Sequence, residues 1–96
     1  MDRQVLETRW LQLTRQTLPS VARDRGWPIH LDHCFQRVLL DNAVGGFWRD
    51  HIAPPAYRTA PDDLLAKAID LGEAAFAGEV DMSALDAKSM RWRGKL

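Results

Sequence analysis

His33, Arg37 and Asp41 are spaced i, i+4 and i+8, so a helix stacks them along one side. Arg37 and Asp41 at that spacing form an intrahelical ion pair worth about 0.3–0.5 kcal/mol on a solvated flank. Val44 and Trp48 continue the same side. Tryptophan and arginine dominate binding hot spots, and four tryptophans in 96 residues exceed what a small core needs. The row His33, Arg37, Asp41, Trp48 is therefore read as a recognition strip. Beside it, the loop Ala53-Pro54-Pro55-Ala56-Tyr57-Arg58 is stiffened by proline and presents Tyr57 and Arg58 with little entropy to lose. The plainer account of that loop is a rigid connector whose tyrosine covers the edge of the core.

A second group is His30, Asp32, His33 and Cys34, with His51 further along. Zinc accepts these ligand types, but residues 34 and 51 lie about 25 Å apart on an unbroken helix. Only a sharp reversal at Gly45-Gly46 would join them, so no metal site and no cofactor is expected. A thiol at a helix N-terminus with His33 or His30 as base resembles an activated nucleophile. No third group orients the pair, and Cys34 is more simply a small buried hydrophobe. No catalytic residue is assigned.

The formal net charge is zero, yet its distribution is uneven. Residues 1–58 hold eight bases and six acids, residues 59–87 one base and seven acids. The last nine residues carry Lys88, Arg91, Arg93 and Lys95 and no acid. The acidic third helix and the basic tail neutralise each other in one reading, with the tail cations also favouring a helix C-terminus. In the other, Lys88, Arg91, Arg93 and Lys95 grip phosphates while Trp92 stacks on a base.

Four helical stretches position these groups. From Gln4 to Asp24, Leu6, Trp10, Leu13, Thr17 and Val21 share one face, interrupted at Pro19 by a kink or a second helix start. Asp32 is placed to cap a second helix with Phe35, Val38 and Leu39 inward. Gly45-Gly46 falls within its apolar pattern and marks either a close crossing with another helix, the first choice, or a bend or stop of this one. A loop spans His51 to Pro61. Thr59 and Asp62 then resemble a capping box for a third helix, whose Ala68, Gly72 and Ala75 admit a close neighbour. Asp81 caps a fourth helix in which Met82, Leu85, Ser89 and Trp92 share a face. No run shows the period-two alternation of a strand. The longest apolar runs are too short to span a bilayer, and the charged N-terminus lacks the apolar stretch of a secretion signal.

The string Asp32-His33-Cys34-Phe35-Gln36-Arg37-Val38-Leu39-Leu40-Asp41, followed by Trp48, Pro55-Ala56-Tyr57 and Trp92-Arg93-Gly94-Lys95, resembles a group of small proteobacterial proteins often called acetyltransferase-like. The resemblance spans nearly the whole chain and implies a compact helical domain with a shared site at His33, Arg37, Asp41, Trp48 and Tyr57. An acetyltransferase of the implied kind is a mixed α/β domain that rests its cofactor on a glycine-containing loop at a helix start. This chain offers neither strand nor such a loop.

The expectation is an all-α protein, a small compact bundle of about four helices in a single domain over residues 1–96. It is a non-enzymatic cytoplasmic binding protein that meets a protein partner, or itself, through His33, Arg37, Asp41, Trp48, Tyr57 and Arg58. No membrane association is expected. The alternatives are phosphate-backbone binding through Lys88, Arg91, Trp92, Arg93 and Lys95, and an acetyltransferase-like enzyme or accessory subunit using His33 and Cys34.

Overall fold

Asp2 opens the first helix: its carboxylate accepts the Gln4 N–H at 3.3 Å, satisfying one of the free donors of the first turn. The computed structural model describes residues 2–95, and among them it contains helices and no strand. Helix α1 (Arg3–Gln12) runs into a π-helical turn (Leu13–Thr17) and continues as α2 (Leu18–Ala22). The π turn follows from Pro19. Proline has no N–H and crowds the preceding turn, and here Leu18 N–H reaches back to the Leu13 carbonyl, one residue further than an α-helix allows. Pro19 then falls in the first turn of α2, where its missing donor costs nothing.

That extra residue rotates the rest of the helix by about 100°. Leu6, Trp10 and Leu13 are buried as their spacing predicts, but the inward face then passes to Thr14, Leu18 and Ala22. Thr17 and Val21, expected on that face, are only half-buried.

Helix α3 (Asp32–Val44) begins one residue earlier than a cap at Asp32 would place it. Extended Leu31 occupies the cap position, and Asp32 accepts the His33 N–H at 2.7 Å from within the first turn. The helix stops at Val44. Gly45 adopts a left-handed conformation with φ of 77°, and its N–H bonds the Asp41 carbonyl at 2.8 Å. A side chain built there would meet nothing within 4 Å, so the double glycine is a helix stop and not the expected crossing point.

The chain turns at a short 3₁₀ segment (Trp48–Asp50), passes a cis Pro54–Pro55 bond and forms one helical turn, α4 (Ala56–Thr59), where an uninterrupted loop was expected. Thr59 is consequently not the cap of the next helix. Its hydroxyl donates to the Ala53 and Pro55 carbonyls, and α5 (Asp62–Phe76) starts after Pro61 without a side-chain cap. Asp81 does cap α6 (Met82–Trp92), accepting Ser83 N–H at 3.0 Å.

Helix α3 packs against both α5 and α6, and α1 lies along α5. The close approach sits at Gly72 on α5. A methyl added there would come within 2.6 Å of a Leu13 methyl and 2.9 Å of a Leu39 methyl. The acidic face of α5 is met by the N-terminal helix, not by the basic tail. Arg3 pairs with Asp62 at 2.7 Å and Arg9 with Glu73 at 3.0 Å. The hydrogen bond to Asp62, followed by Glu7, holds the Arg3 guanidinium above its ordinary range. Arg25 donates to the terminal carbonyls of Ala75 and Phe76, closing the negative end of the α5 dipole. The Cα radius of gyration is 12.4 Å. No helix among the described residues is long and apolar enough to cross a membrane.

Candidate functional site

Asp41 and Arg37 leave the same side of α3, and α6 crosses that side. Asp41 is therefore completely buried. Its carboxylate accepts Arg93 Nε at 2.7 Å and Nη2 at 3.1 Å, the Ser89 hydroxyl at 2.7 Å and the Trp48 N–H at 3.0 Å. Arg37 does not pair with Asp41, contrary to the helical-spacing expectation. It bonds Asp86 at 2.8 Å and the Ser89 hydroxyl at 2.8 Å, so Ser89 bridges the two. A buried ion pair tolerates its desolvation only when the remaining polar atoms are also satisfied. Here no buried side-chain nitrogen or oxygen among the described residues lacks a partner.

This network fixes one wall of a groove of about 590 Å³. By bonding the Trp48 N–H, Asp41 anchors the chain as it leaves Gly45-Gly46. By holding Arg93, it sets that guanidinium over the Phe47 ring at 4.3 Å. The opposite wall comes from the π-turn helix through Trp10, Leu11 and Arg15, and the end from Pro54, Pro55, Ala56 and Tyr57. Gln36 and Leu40 of α3 form the base beside His33 and Arg37. The Gln36 amide is itself held by the Thr14 hydroxyl at 3.0 Å, a residue the π turn rotates inward.

Of the expected strip, His33, Arg37, Trp48 and Tyr57 come together along this groove. Asp41 lies beneath as a support, and Arg58 is outside the lining, with its guanidinium over the Tyr57 ring at 5.5 Å and bonded to the phenol oxygen at 3.2 Å. That bond raises the Arg58 pKa. Sequence reasoning missed Arg15 and Arg49. Arg15 sits on the solvent side of the helical stripe, where nothing distinguishes it from other surface arginines. Arg49 had a signal in its adjacency to Trp48, over whose ring it sits at 5.2 Å.

Among the described residues the lining carries arginines 15, 37, 49 and 93 with His33, and no carboxylate. Arg37 and Arg93 are neutralised by Asp86 and Asp41, whereas Arg15 and Arg49 are exposed and form no ion pair among the described residues. The groove therefore presents excess positive charge above an apolar and aromatic floor.

The remaining candidates are dispersed. His33 is largely exposed, with Nδ1 3.5 Å from the Asp32 carboxylate, and Cys34 is half-buried and free. The chain does reverse after Gly45, yet no group of three His, Cys, Asp or Glu side chains among the described residues is placed to hold a metal ion. In the tail, Lys88, Arg91 and Trp92 border a separate shallow cavity of about 380 Å³ with Asn42 and Gly45. Trp92 is partly exposed and leaves the buried face it was expected to share with Ser89. Arg93 is withdrawn from the basic cluster by Asp41.

Fold and site together define a small all-α protein with an arginine-lined groove that has no carboxylate among the described residues. No protein-family model matches the chain, and no curated protein or solved structure matches it either.

Proposed function

We propose that this is a non-enzymatic cytoplasmic binding protein, and that the groove between the π-turn helix, α3 and the segment from Phe47 to Tyr57 receives part of a partner protein. The observation that carries the reading is the convergence of His33, Arg37, Trp48 and Tyr57, three of them from hot-spot residue types, on one groove with no carboxylate among the described residues. One wall is held from behind by the Asp41–Ser89–Arg93 network, so little order has to be gained there on binding. Binding is favoured over catalysis because the ionisable side chains of the lining are four guanidiniums, one imidazole and one phenol, with no nucleophile bonded to a base.

The test places a photo-crosslinking amino acid at Tyr57 of the full chain in its native cells, with exposed Val5 as the remote control. The reading requires a protein adduct at position 57 that is absent at position 5 and lost in Trp48→Ala. An adduct of two chains identifies self-association. Equal labelling at both positions, or adducts to nucleic acid, sinks it.

A second reading rests on partly exposed Trp92, which borders one cavity with Lys88 and Arg91, and on Lys95 three residues further along the chain. Phosphate binding there predicts affinity that falls steeply with salt, and a salt slope reduced by about 2–3 in the Lys88→Ala/Arg91→Ala/Lys95→Ala variant. An unchanged slope in filter binding would discard it.

A further inference from the structure

We infer that the groove reads carboxylates: its occupant is an acidic stretch of a partner protein whose Asp or Glu side chains meet the guanidinium groups of Arg15 and Arg49. This rests on the binding role proposed above and specifies its chemistry. Arg37 and Arg93 are already bonded to Asp86 and Asp41, and they shape the wall. Arg15 and Arg49 line the same groove and form no ion pair among the described residues. Their donors are the ones left for a ligand.

One of these two guanidiniums is also held by an aromatic ring. Arg49 sits over the Trp48 ring at 5.2 Å, and no other group bonds its edge among the described residues. Stacking engages the face of a guanidinium and leaves its edge donors for a second partner, a geometry suited to bidentate carboxylate bonding. A phosphate site built on helix N–H groups is disfavoured, because at the α3 start Asp32 already places a carboxylate on the His33 N–H. Leu11, Leu40 and Pro54 supply an apolar surface for residues between the acidic ones.

The test is fluorescence anisotropy on the full chain with three labelled probes: a peptide alternating glutamate and leucine, its glutamine-for-glutamate twin, and oligothymidylate. The acidic peptide is expected to bind, the twin not to bind, and affinity to fall roughly tenfold or more in Arg15→Gln/Arg49→Gln, the scale of a lost charge-assisted bond. The melting temperature of that variant should match the parent, since neither arginine forms a tertiary ion pair among the described residues. If the twin binds as tightly and both peptides are lost in Trp48→Ala, the groove binds peptides without reading charge: this inference falls and the binding role stands. Acidic-peptide binding that survives the double variant overturns the inference. So does oligothymidylate binding that the double variant abolishes, which would also end the protein-partner reading. Silence with all three probes overturns the inference alone, because crosslinking at Tyr57 decides the binding role independently.

Discussion

Asp41 is the residue on which the groove depends, although it never reaches the groove surface. Its carboxylate serves four donors on three separate groups, and removing it strands a guanidinium, a hydroxyl and a backbone N–H together. Breaking a buried ion pair from one side costs about 3–5 kcal/mol. Asp41→Ala is expected to fall in that range in urea denaturation, lowering the midpoint without changing the slope. Ser89→Ala removes only the link between Arg37 and Asp41 and should cost about 1–2 kcal/mol. Equal effects would mean that Asp41 acts through the hydroxyl alone. Helical spacing had grouped His33, Arg37 and Asp41 correctly along one side of α3. It carried no information on what lies against that side, so the Arg37–Asp41 pair of an isolated helix was replaced by pairs reaching α6.

At the scale of elements, glycine does two different jobs. Gly45 stops α3 through a left-handed backbone in open space, so Gly45→Ala meets no clash and pays only the conformational penalty of about 1–2 kcal/mol. Gly72 is buried inside α5 against Leu13 and Leu39. There alanine gains about 1 kcal/mol of helix propensity, set against about 1–3 kcal/mol of overpacking. Gly72→Ala should therefore destabilise by about 1 kcal/mol, and Leu13→Ala/Gly72→Ala should cost less than the two single changes added. Strict additivity in the thermal or urea midpoints would show that the methyl is absorbed elsewhere. The small residues of α5 were legible because their spacing puts them on one face. The double glycine was not, because the same pattern suits a crossing or a stop, and only the neighbours distinguish them.

Across the whole molecule, charge is arranged between distant parts of the chain. The acidic segment finds its counter-ions in Arg3 and Arg9, near the opposite terminus, and Arg25 closes its last turn. The basic tail is left to Asp41 and solvent. The pairs at Asp62 and Glu73 are substantially exposed and solvent-screened, so each is worth about 0–1 kcal/mol. Arg3→Ala/Arg9→Ala should cost about 1 kcal/mol in low salt, and most of that loss should disappear in molar salt. A loss that persists would assign the effect to the Arg3 hydrogen bond with the Tyr57 carbonyl, which also ties α1 to the end of the groove.

The helical class, the cap at Asp81 and the inward faces of α3 and α5 were determined by the sequence alone, because each depends on spacing or on side chains a few residues apart. The tertiary structure decided the rest. One residue added to the turn before Pro19 moved Thr14, Leu18 and Ala22 inward, with Thr14 holding Gln36 at the groove base. A stop at Gly45 let Phe47 and Trp48 turn back over α3, and α6 crossing the polar side of α3 converted a surface row into a buried network. A carboxylate at i+8 looks the same in sequence whether water or another helix faces it. Its role is settled by what packs there, and that information lies in residues 48 to 52 positions away along the chain.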